Sequence, residues 1–137
     1  MQEEGMNMND EESCDLAFFG MTGLDDIKNS PEILERIKWD VTPQTVMEPR
    51  FQSRAEDLRK LRDISGYMFY IESQCEPPAL MLLKVGRSDI TSTIGKVDEI
   101  PRDLLRRAME HSVEKPVHGM YAISDEIKEW LKKELGV

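Results

Sequence analysis

"GYMFYIESQCEPPALMLLKVG", residues 66–86, holds two apolar runs on either side of a Cys-Glu-Pro-Pro turn. "YMFYI" is aromatic and β-branched, the composition of a strand, with Tyr67, Phe69 and Ile71 on one face. "ALMLLKV" is apolar on both faces, as a strand covered on both sides is. The link "SQCEPP" is short, so the two strands are expected to run antiparallel over 67–72 and 79–85. That hairpin makes the sheet the centre of the fold.

The elements around it are mostly helical. "SPEILERIKW" offers Ser30 as N-cap and Pro31 at the first helical position, which predicts a helix over 31–38. Pro43 and Pro49 oppose a helix in "WDVTPQTVMEPRF", so 41–47 reads as an extended or edge strand. Ser53 caps a basic amphipathic helix over 54–64, and Gly66 ends it. "RSDITSTIGKV" is polar and hydroxyl-rich, and a third strand is expected within 90–97. "PRDLLRRAMEH" predicts a helix over 101–111 with His111 in its last turn, where an imidazolium suits the dipole. "KPVHGMYAI" suggests a short extended piece at 117–122. Ser124 then caps a helix over 125–135, acidic at its start, lysine-rich near its end and closed by Gly136. Helices and strands mix without a βαβ rhythm. The fold class expected is α+β: a two-layer sandwich of a small mixed or antiparallel sheet with about four helices.

At 137 residues the chain makes one domain, able to bury about two thirds of its unfolded surface without metal or disulfide. Residues 1–15 carry six acids and no base, and they lack periodicity. They read as a disordered acidic tail ahead of a single domain over 16–137. That tail supplies most of the net charge of −9. An acidic protein repels phosphate backbones, so nucleic acid is disfavoured as a partner, and the basic 50–62 stretch lacks the aromatic ladder of single-strand binders. No apolar run is long enough for a membrane span, and acids rather than bases precede "LAFFGMTGL", which argues against a secretory leader. A cytoplasmic location is expected.

Cys14 and Cys75 are the two cysteines. With Cys14 in the tail, a structural pair is not expected, and Glu76 beside Cys75 would raise rather than lower its thiol pKa. Cys75 reads as a turn residue. His111 and His118 show no metal-ligand spacing, so no metal or other cofactor is expected. The stretch "VGRSDITSTIGK" offers glycines, hydroxyls and cations: Arg87, Ser88, Thr91 and Lys96, with His118 joining them from its own strand. Such groups bind anions. The P-loop pattern fails, however, because Gly86 is too far from Gly95 and Val97 stands where a hydroxyl is required.

Two functional readings follow. The first is a non-catalytic accessory or regulatory protein acting through a protein partner or through self-association. Its contacts would come from Leu16, Phe18, Phe19 and Met21, in an arm (16–29) that packs either on the body or on a partner. The second is an anionic small-molecule site, or a small enzyme, built on the 86–96 loop with His118. No catalytic constellation is present to favour an enzyme.

Overall fold

A computed structural model describes residues 21–46, 66–85 and 91–137. The Ser53 helix, the basic 50–62 stretch and the 1–15 tail lie outside the described residues.

The expected hairpin is present. Strand β2 (Gly66–Glu72) pairs antiparallel with β3 (Ala79–Val85), with Gly66 opposite Val85 and Glu72 opposite Ala79. Strand β4 (Thr91–Val97) pairs antiparallel with β3 on its other side. Short β1 (Met21–Thr22) adds to β4 in parallel, and β5 (Met120–Tyr121) adds to β2, giving the order β1-β4-β3-β2-β5. The fold is α+β around a mixed, mainly antiparallel sheet.

One face carries Tyr67, Phe69, Ile71, Leu80, Leu82 and Val97. Four helices supply its cover: α1 (Leu24–Lys28), α2 (Pro31–Glu35), α3 (Arg102–Glu110) and α4 (Asp125–Leu135). Ile27, Ile127 and Leu131 are fully buried there. The other face holds Met68, Tyr70, Met81, Leu83 and Val85, joined by Val46 and Met120. Both faces of β3 are therefore buried, as its uninterrupted apolar run requires.

Helix α4 follows its sequence signals closely. The Ser124 hydroxyl accepts from the Ile127 N–H at 3.2 Å, and Gly136 turns left-handed to close the last turn. Helix α3 likewise begins after Pro101, with His111 at its C-cap.

Three expectations need correction. The stretch expected as an extended strand at 41–47 is instead a helical turn at 43–46. Thr42 Oγ1 accepts from the Thr45 N–H at 3.3 Å, so Thr42 is the cap and Pro43 opens the turn instead of forbidding it. The 31–38 helix stops at Glu35, because the chain then turns to pair with the sheet. The Lys38 N–H donates to the Tyr67 carbonyl at 2.7 Å, and the Tyr67 N–H donates to Arg36 at 3.0 Å. Gly66 admits this approach, since a Cβ there would stand 2.5 Å from the Arg36 carbonyl oxygen. Ser30 occupies the N-cap position, but its hydroxyl makes no capping bond.

The third correction concerns Cys75, which is disulfide-bonded and 5% exposed. The sequence disfavours a pair because the acidic segment lacks periodicity and so reads as detached from the body, but the bond is present. The sequence's other cysteine, Cys14, lies outside the described residues.

Candidate binding site

The turn of the β2–β3 hairpin, the end of β4 and the start of α3 converge at one end of the sheet. They enclose a cavity of about 200 Å³ bounded by Cys75, Pro77, Met81, Lys96, Asp98 and Arg102, among others. Its neighbour, of about 410 Å³, is lined by Pro77, Pro78, Arg102, Asp103, Leu105, Arg106 and Met109. Pro77, Pro78, Arg102 and Leu105 border both, so the two hollows adjoin across these residues and together make the depression at this end of the sheet.

Each wall has a local cause. The paired prolines, entered through a cis Glu76–Pro77 bond, make a rigid rim without backbone donors. Arg102, in the first turn of α3, donates from Nη1 to the Pro78 carbonyl at 3.0 Å and ties helix to turn. Lys96 reaches the site because of a bulge in β4. Leu82 faces Gly95 but Leu83 faces Thr93, so one residue is extra and the alternation of side chains reverses there. Lys96 thereby shares a face with Met81 and Tyr70.

Cations and acids in the depression balance. Lys96 Nζ is 3.7 Å from Asp98. Arg106 is bridged to Glu110 at 3.1 Å and to Asp103 at 3.3 Å. A phosphate or other multiply charged anion is drawn by a surplus of positive charge, and the depression offers little. Fixed charges of both signs stand at its mouth, beside the apolar wall of Pro77, Pro78, Leu105 and Met109.

Close by, on the second face of the sheet, lies a small polar group. The Tyr70 hydroxyl is 3.3 Å from Thr93 Oγ1 and also hydrogen-bonds the Glu72 carboxylate. Burial pushes the Tyr70 pKa up to about 12, and burial raises that of Glu72 as well.

Among the residues expected at an anion site, Lys96 lines the cavity. Thr91 opens β4 at the opposite end of the strand, facing Val85. Arg87 and Ser88 lie outside the described residues. His118 sits at φ 51 in the turn between Val117 and Met120, beyond β2 from Lys96. That turn docks on the hairpin: Gly119's carbonyl accepts from the Ser73 N–H at 2.9 Å and from Ser73 Oγ at 2.7 Å. His118 is thus brought to the Cys75 turn rather than to Lys96. Of the residues expected to meet a partner, Leu16, Phe18 and Phe19 lie outside the described residues. Met21 is committed to β1 through its backbone, opposite Gly95, and the next apolar residues, Leu24 and Ile27, are buried on the body.

Sequence reasoning missed Arg102, Pro77 and Met109 as site residues. Pro77 and Pro78 were visible as a turn and Arg102 as a helix start, but nothing local says that the two meet. No group of three or more metal-ligating side chains occurs among the described residues, and no helix there is long and apolar enough to cross a membrane. Comparison with protein-family models, with curated proteins and with solved structures yields no match for this chain.

Proposed function

We propose that the protein is a non-catalytic accessory or regulatory protein that binds a short, apolar segment of a protein partner in the depression between the hairpin turn and α3. The observation that carries this reading is the pairing of an apolar trough, bordered by Pro77, Pro78, Leu105 and Met109, with a mouth of balanced charge at Arg102, Asp103 and Arg106. Cys75 on the wall of the adjoining cavity is held in a disulfide.

Selection of a random-peptide display library against the full chain, disulfide intact, tests this. Enriched peptides should carry spaced apolar residues, and Met109→Glu should weaken them by about tenfold or more, roughly 1.4 kcal/mol. Failure to enrich any peptide, or binding indifferent to both Met109→Glu and Arg102→Glu, would overturn the reading.

A small anionic ligand is the second reading, supported by Lys96 and Arg102 lining one cavity. A thermal shift with inorganic phosphate or small carboxylates that Arg102→Ala removes would favour it. The location we propose is the cytoplasm, where disulfides are characteristically transient and redox-sensing.

A further inference from the structure

The charged groups around the depression balance in number but not in pairing. Lys96 stands 3.7 Å from Asp98, and Arg106 is bridged to Glu110 and Asp103. Arg102 differs. Among the described residues no carboxylate lies within ion-pair distance of its guanidinium, which commits one N–H donor to the Pro78 carbonyl at 3.0 Å. That bond holds the guanidinium in place and leaves its other donors for a ligand. Arg102 also borders both hollows, together with Leu105.

We infer that the depression recognises the free C-terminus of a partner polypeptide, with the terminal carboxylate on Arg102 and the last apolar side chain against Leu105 and Pro77. The inference rests on the peptide-binding reading and names the part of the peptide that is read. An internal acid and the apolar residue next to it point to opposite sides of an extended chain. A C-terminal residue carries its carboxylate and its side chain on one carbon, as a cation bordering an apolar wall requires. Pro77 and Pro78 have no N–H to offer a passing strand, so main-chain pairing cannot run along that rim. Affinity must then come from the chain end and the side chains. Glu76 borders the smaller hollow with no cation paired to it among the described residues, and it disfavours a second negative charge. One carboxylate suits the site; a phosphate or a dicarboxylate does not.

Helix α3 sets how much of the peptide is read. Arg102, Leu105 and Met109 lie at i, i+3 and i+7, on one stripe. From Arg102 to Met109 the helix rises about 10 Å, the span of about three extended residues. The last and third-from-last side chains of the peptide share a side and should both be apolar.

Fluorescence polarisation with the full chain, disulfide intact, tests this. The probes are N-acetylated hexapeptides whose last and third-from-last residues are drawn from Leu, Phe, Met, Ser, Gln and Glu, each made as the free acid and as the C-terminal amide. Apolar pairs should bind as acids and weaken by about tenfold or more as amides. Arg102→Gln should bring acid and amide to equal affinity, and Arg102→Lys, which keeps the charge, should retain part of the preference. Arg106→Gln, whose side chain is already bridged, should leave the preference whole. A terminal Glu should bind worse than a terminal Gln, and Glu76→Gln should narrow that gap. Equal affinity of acid and amide for the wild type, or peptides enriched by display while the free acids fail to bind, would overturn the inference and leave the peptide site standing. Binding by none of the probes, with nothing enriched by display, would overturn both. An acid preference that survives Arg102→Gln would also overturn the inference, as would N-acetyl-leucine binding as tightly as the hexapeptides, which marks a small-molecule site.

Discussion

Tyr70 buries a hydroxyl within an apolar face and satisfies it with Thr93 on one side and Glu72 on the other. Because burial lifts the Tyr70 pKa from 10.0 to about 12, the folded state holds the phenolic proton more tightly than the unfolded chain does. The sign follows from linkage: the contribution is fully present below pH 10 and is lost as pH rises from there toward about 12. Urea midpoints measured across that window should fall in the wild type by an amount worth about 2–3 kcal/mol. Tyr70→Phe should lower stability at neutral pH by about 1 kcal/mol and flatten the alkaline decline. A decline of the same depth in Tyr70→Phe would place its origin elsewhere.

Helix α4 shows what local signals determine. Its cap, its dipole-matched charges and its closing glycine all lie within the helix or next to it, and the bounds expected from them, 125–135, are those observed. Ser124→Ala should cost about 1 kcal/mol, seen as a melting temperature lower by about 4 °C. The β2–β3 hairpin was equally legible, since a run apolar on both faces has few other places to go. Elements decided by distant partners were not. The 31–38 helix ended early because Arg36 and Lys38 bond to Tyr67, a residue far along the chain. At 43–46 the error was one of sign: proline breaks a helix from within but starts one when a threonine caps it. Lys96 was legible as a candidate, but its place in the cavity depends on the extra residue at the Leu82/Leu83 bulge, which inverts the simple alternation. Cys75 was read from its neighbours in sequence, whereas its bond depends on which other segment reaches the turn.

Across the whole molecule, a bond from Cys14 to Cys75 would close a loop of about 60 residues, worth about 4 kcal/mol in chain entropy. Dithiol treatment should accordingly move the urea midpoint down and steepen the transition, because the reduced unfolded chain is more expanded. An unmoved midpoint would mean that the bond does not restrain the unfolded chain. The pairing of residues 36–38 with Tyr67 carries a different consequence. Among the described residues, β2 meets β5 at Ile71 and Glu72 and bridges to Ile37 at Tyr67, and Trp39 stacks on Phe69 with 5.8 Å between centroids. An uncovered margin of aromatic backbone is a template onto which other chains add. Lys38→Pro deletes the N–H that donates to the Tyr67 carbonyl, and we expect it to raise thioflavin fluorescence and light scattering well below the melting temperature. Clear solutions up to the melt would refute this. On that expectation, the few residues after α2 would act as a guard against fibrils, keeping the sheet from growing beyond its own chain.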